Sequence, residues 1–195
     1  MSSPIKILAF SGSLRSDSWN HRLVEVASAA ARAEGATVNV IRLRDYPLPL
    51  FDQDHEDENG LPQSAIQLKE MFLEHDGMLI ASPEYNGSYS AALKNTVDWM
   101  TRPYDGRSGL DCFRGKVAGL LSCSPGQLGG IRGLPSLQHL LSSIGTMVVP
   151  HQAAVPAIHD ELQESEALRT ERMQEAVDRV GHEVVRTIRG LRAGS

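Results

Sequence analysis

The chain contains two polar stretches, GSLRSDSWN at residues 12–20 and SPEYNGSYS at residues 82–90. Each follows a short apolar run typical of a buried strand, IKILAF at residues 5–10 and GMLIA at residues 77–81. Apolar residues at helical spacing come after each stretch. The order of strand, polar loop and helix therefore occurs twice, which is typical of an α/β protein.

Further apolar runs extend this pattern to five strands. We predict strands at residues 5–10, 37–43, 77–81, 116–121 and 146–149, separated by helices that include residues 91–100 and a long terminal helix at residues 161–192. The proline- and acid-rich residues 44–60 and residues 102–115 are predicted to be irregular connections. Five strands alternating with helices predict a doubly wound parallel sheet with helices on both faces, in a single domain over residues 1–195.

Composition limits the possible functions. The 195 residues are 41% hydrophobic and 22% charged, as expected of a globular protein, and the first apolar run is too short for a signal peptide or a membrane span. We therefore expect a cytoplasmic protein without a membrane partner. A net charge of −5 with dispersed basic residues argues against nucleic-acid binding. Cys112 and Cys123 have no metal-ligand spacing, and the acidic residues 52–58 are interpreted as a solvated loop, so no metal site is predicted.

The first polar loop has the composition of an anion site. A loop that opens onto a helix offers unpaired backbone N–H groups and the positive end of the helix dipole. Serine hydroxyls, the Arg15 guanidinium and the Asn20 amide add donors. The alternative is that Asp17 or Ser18 simply caps the helix. Because the G-x-G-x-x-G and G-x-x-x-x-G-K-[ST] patterns are absent, a single phosphate is favoured over a dinucleotide or a nucleoside triphosphate.

The second and third loops suit a planar ring. The second loop combines four useful residues. Pro83 stiffens the chain after the strand, Tyr85 offers a flat ring, Asn86 offers a donor and an acceptor, and Gly87 permits close approach of the backbone. A turn with a surface tyrosine is the alternative. The stretch SCSPGQLGGIRG at residues 122–133 offers a wall on the far side, although it also resembles an ordinary glycine-rich connection. A phosphate, a ring and a wall together indicate flavin mononucleotide (FMN).

These motifs resemble the NAD(P)H-dependent FMN reductases of flavodoxin-like fold, which include quinone, chromate and azo-dye reductases. The resemblance covers most of the chain and rests on GSLRSDSWN, SPEYNGSYSAALKNTVDWM and SCSPGQLGG. It implies strand order 2-1-3-4-5, FMN as cofactor, NADPH or NADH as hydride donor and a homodimer or homotetramer. Some members have Pro-Gly where this chain has Ser90 and Ala91, and some have serine in place of Cys123.

The resemblance also implies the cofactor-binding residues. Carried over position by position, they are Ser11, Ser13, Arg15, Ser18 and Asn20 for the phosphate, Pro83, Glu84, Tyr85, Asn86 and Gly87 for the ring, and Ser122, Cys123, Ser124, Pro125 and Gly126 for the wall. The implied reaction passes hydride from NAD(P)H through the flavin to a small-molecule acceptor by a ping-pong mechanism. Quinones, azo compounds, metal oxyanions and free flavin are the implied acceptors, and no catalytic residue is nominated.

Three other functions fit parts of the pattern. A flavodoxin-type electron carrier binds FMN without turnover of its own, although such carriers tend to be strongly acidic. A plain NADP-binding domain would use Arg42 and Arg44 for the 2′-phosphate, although the glycine fingerprint is missing. A non-enzymatic protein would use FMN only structurally.

Overall fold

A computed structural model describes residues 3–162 and 167–194. Its sheet contains six strands: β1 (Lys6–Ser11), β2 (Thr37–Arg42), β3 (Gly77–Ala81), β4 (Val117–Cys123), β5 (Met147–Val148) and β6 (Ala153–Val155). The strand order is β2-β1-β3-β4-β5, and every pairing is parallel. The doubly wound order 2-1-3-4-5 is confirmed, whereas the prediction of five strands was one strand short.

The additional strand shares an edge with β5. β5 pairs with Val117 and Ala118 at the beginning of β4, and β6 pairs with residues 121–123 at its end. The two short strands therefore lie end to end at the same edge of the sheet, beside β4, and residues 149–152 separate them. Pro150 lies in this interruption and has no N–H to donate to a ladder. β6 has three residues, two of them alanine, which is depleted in strands, so it produces no recognisable strand pattern.

Helices cover both faces of the sheet. They are α1 (Trp19–Ala33), α2 (Gln53–Asn59), α3 (Gln63–Glu74), α4 (Ala91–Met100), α5 (Gly133–Ser143), α6 (Ile158–Glu161) and α7 (Glu171–Ala193). Alternate β1 residues enter opposite cores, because side chains alternate along a strand. Ile7 packs in the core beneath α1 and α7, whereas Leu8 packs in the core beneath α3, α4 and α5. Within the described chain, no helix is both long and apolar enough to cross a membrane.

Two sequence predictions of local structure were wrong. Residues 44–60, predicted to be irregular, contain α2. None of the residues of α2 is buried, so its sequence lacks the apolar periodicity that predicts a helix. Asp52 caps α2 by accepting a hydrogen bond from the Asp54 N–H at 3.0 Å. The terminal helix α7 begins at Glu171 rather than at residue 161. Four positions of that prediction, residues 163–166, lie outside the described residues.

Candidate cofactor site

Three loops meet at the carboxyl ends of the strands: the first loop (residues 12–18), the second loop (residues 82–90) and the third loop (residues 124–132). The N–H of Gly12 donates to the Ala81 carbonyl at 2.9 Å, which joins the first loop to the end of β3. The N–H of Ser82 donates to the Leu121 carbonyl at 2.9 Å, which joins the second loop to β4. The parallel register thus brings together the three stretches that the sequence singled out.

The first loop leaves the beginning of α1 open. Ser18 is the N-cap residue, and its hydroxyl accepts a hydrogen bond from the His21 N–H at 3.2 Å. Among the described residues, no acceptor pairs with the N–H groups of Trp19 and Asn20. The Arg15 side chain is exposed and likewise has no partner in the described chain. Free N–H groups, a helix dipole and a nearby guanidinium fit a phosphate group.

Hydroxyl groups and one arginine shape this loop. The Ser11 hydroxyl accepts from the Ser13 N–H at 3.1 Å, and the Ser13 hydroxyl accepts from the Arg15 N–H at 3.3 Å. A hydroxyl that accepts a hydrogen bond can still donate its own proton to a ligand. Arg42 donates to the Ser16 carbonyl at 2.9 Å. Arg42, which the NADP-binding alternative assigned to a 2′-phosphate, therefore braces the first loop.

Asn20 connects the first loop to the end of β4. Its Nδ2 donates to the Cys123 carbonyl at 3.1 Å, and its Oδ1 accepts from the Cys123 N–H at 3.1 Å. Asn20 is 6% exposed, so both functions of its amide are occupied inside the protein. The amide thus has a structural function, and a contact between Asn20 and a phosphate stays a prediction.

The second loop contains a tight turn. Tyr85 and Ser88 exchange two backbone hydrogen bonds of 2.9 and 3.1 Å. Between them, Asn86 and Gly87 have φ of 53° and 80°, which is the geometry of a type I′ turn. Tyr85 is 53% exposed. The turn with a surface tyrosine, given above as an alternative to a ring site, is therefore present, and it lies at the edge of the sheet where a ring would bind.

The end of β4 and the third loop pack closely against the second loop. The Ser122 hydroxyl donates to the Ser82 carbonyl at 2.7 Å. A Cβ on Gly130 would lie 1.9 Å from the Ser122 Oγ, so only glycine fits there. Burial raises the pKa of the Cys123 thiol, which is 2% exposed and stays protonated. Cys123 therefore packs as a small apolar residue, where some resembling proteins have serine.

Two residues that connect these loops were missed by the sequence analysis. The Ser90 hydroxyl donates to the Gly12 carbonyl at 2.5 Å and accepts from the Leu93 N–H at 3.1 Å, which caps α4. A serine directly before a helix is a recognisable N-cap signal. Arg132 donates to the Glu84 carboxylate through its backbone N–H at 3.0 Å and its Nε at 2.7 Å. Their separation of 48 residues leaves no local signal for this pair.

The expected site residues divide into two groups. Those that are at least partly exposed and available to a ligand are Ser13, Arg15, Tyr85, Asn86, Gly87, Ser124, Pro125 and Gly126. Those that are buried in the loop bases are Ser11, Ser18, Asn20, Pro83, Ser122 and Cys123, while Glu84 is ion-paired with Arg132. The exposed group offers hydrogen-bond donors and a guanidinium beside the Asn86–Gly87 turn, and the buried group holds the bases of the loops together. Fold and site together define a flavodoxin-like protein with a mononucleotide site.

Comparisons with known proteins identify the family. Residues 5–160 match the family of NADPH-dependent FMN reductases. The chain is 31% identical over 149 residues to a quinone reductase of Escherichia coli strain K12, covering 76% of each protein. It is 30% identical over 157 residues to a 2-hydroxy-1,4-benzoquinone reductase of Burkholderia sp., covering 80% of each. The structure of FerB, a flavoenzyme NAD(P)H:(acceptor) oxidoreductase from Paracoccus denitrificans, superposes with a TM-score of 0.80 at 28% identity, covering 95% of this chain and 98% of FerB.

The chain belongs to the NADPH-dependent FMN reductase family. It is accordingly an oxidoreductase of flavodoxin-like fold that uses FMN and NAD(P)H, as the sequence resemblance implied.

Proposed function

We propose that this protein transfers hydride equivalents from NADPH or NADH, by way of FMN, to quinone acceptors. The observation that carries the proposal is the placement of free α1 N–H groups and Arg15 at the same sheet edge as the Asn86–Gly87 turn. One end of this edge suits a phosphate, and the other suits a planar ring.

The phosphate of FMN would lie on the first loop. The N–H groups of Trp19 and Asn20 lie at the positive end of the α1 dipole and would donate to the phosphate, and the Ser13 hydroxyl would add a donor. Arg15 is free to form a charge-assisted hydrogen bond, which is stronger than a bond between neutral groups. Arg42 would act indirectly, by holding the Ser16 carbonyl and so the course of the loop.

The flavin ring would lie between the second and third loops. The turn at Asn86 and Gly87 exposes backbone groups that can meet the ring edge, and residues 124–126 would form the wall. When bound, FMN supplies the two-electron chemistry that accepts and returns a hydride. We nominate no proton donor, because Glu84 is ion-paired with Arg132 and the Cys123 thiol is buried. The contribution of the protein is to bind, orient and leave one face of the ring accessible.

Quinones are the proposed acceptors. The relatives named quinone reductase and 2-hydroxy-1,4-benzoquinone reductase support this class. We extend the proposal to azo compounds, metal oxyanions and free flavin, since an open ring face accepts reactants of several shapes. A nicotinamide and an acceptor that use the same face must bind in turn, so we propose ping-pong kinetics.

We further propose that residues 1–195 form one domain, that the protein assembles as a homodimer or homotetramer, and that it acts in the cytoplasm. One sheet with a core on each face supports a single domain. Both cysteines are free thiols, which fits a reducing compartment.

An anaerobic titration tests the reaction. NADPH, and separately NADH, is added to the protein saturated with FMN, and the visible flavin band is followed before and after addition of a benzoquinone. We expect bleaching by at least one nucleotide, recovery of the band with the quinone, and parallel lines in double-reciprocal steady-state plots. Failure to bind FMN, or bound FMN that neither nucleotide bleaches, would contradict the proposal.

A further inference from the structure

Glu84 lies in the second loop, where the sequence resemblance places it beside the flavin ring. Its carboxylate, however, is directed at the third loop. The side chain is 7% exposed and forms an ion pair with Arg132, whose own side chain is 63% exposed. Glu84 Oε2 accepts from the Arg132 backbone N–H at 3.0 Å, and Oε1 accepts from Arg132 Nε at 2.7 Å and from its Nη2. One residue thus provides three donors to this carboxylate.

The same contact closes the end of a helix. Arg132 is the N-cap residue of α5, but its side chain makes no capping hydrogen bond. The Glu84 carboxylate, supplied from another loop, accepts from the N–H of the N-cap residue of this eleven-residue helix, as the N3 glutamate of a capping box does. The helix dipole and the guanidinium both attract a negatively charged group there.

Two glycines line this contact between the second loop and the beginning of α5. A Cβ on Gly133 would lie 3.2 Å from the Ser88 carbonyl oxygen and 3.5 Å from Glu84 Cγ. A Cβ on Gly130 would lie 3.5 Å from Glu84 Cβ. Residues on both sides of the Asn86–Gly87 turn, Glu84 and Ser88, therefore pack against the beginning of α5. The position of the turn is tied to that helix at two points.

From this geometry we infer that Glu84 and Arg132 are a positioning pair, which sets the distance between the second and third loops and so the width of the ring slot. Glu84 acts through Arg132 and does not itself touch the cofactor. The inference rests on the proposed function, since it concerns how the same site holds its ring.

The chain offers a matched control pair. Arg102 and Glu56 form an ion pair at 2.7 Å, with side chains 30% and 12% exposed. Arg102 follows the C-terminus of α4, whereas the second loop precedes its N-terminus, and a helix of ten residues is about 15 Å long. Loss of this pair removes a comparable contact without changing the proposed ring slot.

The test compares Glu84→Gln, Arg132→Ala and the double variant with Glu56→Gln and Arg102→Ala. FMN affinity is measured by fluorescence quenching, and the environment of the ring is measured by visible circular dichroism of bound FMN. We expect Glu84→Gln and Arg132→Ala each to weaken FMN binding about tenfold, to change the dichroism in the same way, and to combine without further loss. The two control variants should lower the melting temperature and leave the dichroism unchanged.

Three results would overturn the inference: unchanged dichroism in both site variants, an effect of Glu84→Gln that Arg132→Ala does not share, or changes of equal size in the control variants. The second of these would assign Glu84 to direct contact with the ring. A wild-type protein that does not bind FMN would instead contradict the proposed function, so the two failures are distinguishable.

Discussion

Two regions of this molecule share three structural features: a tight turn, an Arg–Glu ion pair and a bridging asparagine. The first is the cofactor edge formed by the three loops, and the second is the α2 region, formed by residues 46–60 and 101–107 against α4. Each has a type I′ turn after a tyrosine, at Asn86–Gly87 and at Asp105–Gly106. Each also has an Arg–Glu ion pair, Arg132 with Glu84 and Arg102 with Glu56.

The third shared feature is an asparagine whose side-chain amide donates one hydrogen bond to the backbone and accepts another from it. Asn20 pairs with both backbone groups of Cys123 at the cofactor edge. Asn95 accepts from the Phe51 N–H at 2.8 Å and donates to the Pro49 carbonyl at 2.9 Å in the α2 region. In the α2 region these features fasten a surface connection to one helix. At the cofactor edge they hold loops beside the open N-terminus of α1, so location rather than local chemistry distinguishes the proposed binding site.

The largest expected difference between the regions concerns the two asparagines. Asn20→Ala should lower the free energy of unfolding by about 2–4 kcal/mol, because it leaves the N–H and carbonyl of Cys123 buried without partners. Asn95→Ala should cost about 1 kcal/mol, since Asn95 is half-buried and water can replace its amide. Urea denaturation measures both values. Equal losses of unfolding free energy would show that the hydrogen bonds of Asn20 contribute no more to stability than those of Asn95.

The two turns allow a second paired test. An added Cβ at Gly87 or at Gly106 meets no atom within 4 Å, while φ is +80° and +71°. Alanine at either position should therefore cost about 1–2 kcal/mol of stability through backbone strain alone.

The same two alanine variants should differ in FMN binding. We expect Gly87→Ala to weaken it about tenfold, equivalent to about 1.4 kcal/mol, and Gly106→Ala to leave it unchanged. Fluorescence titration measures the affinity, and thermal melts check that both variants lose similar stability. If Gly106→Ala weakened FMN binding as much as Gly87→Ala does, the assignment of the ring to the second loop would be wrong.

A smaller effect is expected from pH at the beginning of α1. Burial, followed by the charge of Arg42, lowers the pKa of His21 below its ordinary value of 6.5, while Glu25 and Asp45 partly oppose the shift. As pH falls below about 6.5, the unfolded chain takes up this proton before the folded protein does, so the free energy of unfolding decreases.

His21→Gln should reduce that decrease between pH 6.5 and 5, as measured by urea denaturation at several pH values. His55→Gln, on the exposed surface of α2, provides the control. If the free energy of unfolding fell equally with pH in the wild-type protein and in His21→Gln, His21 would not be a source of the pH dependence.

Much of the fold followed from local patterns. Buried strands such as β3 are continuous apolar runs, and the helices that face the cores have apolar residues at helical spacing. Two elements were not predicted, because their sequences lack these signals. β6 has three residues, and α2 has no buried side chain, so neither produces a periodicity.

The arrangement of the candidate site was predictable to a similar extent. Glycine, serine and arginine before a helix indicated an anion site, and Asn-Gly indicated a turn. The functions of Asn20, Glu84 and Arg132 depend on partners 48 or 103 residues away, which only the folded chain brings within hydrogen-bond distance. Side chains that the sequence offered as ligands proved to join the loops to one another.

The most direct test of the central claim compares FMN with riboflavin, which lacks the phosphate. Dissociation constants for both are measured with the wild-type protein, Arg15→Ala and Asn86→Ala. We expect Arg15→Ala to weaken FMN binding by about 1.5–3 kcal/mol, or roughly 10- to 150-fold, while riboflavin binding is unchanged. Asn86→Ala should weaken both ligands by the same factor. An Arg15→Ala protein that loses affinity for riboflavin as much as for FMN would contradict the placement of the phosphate on the first loop.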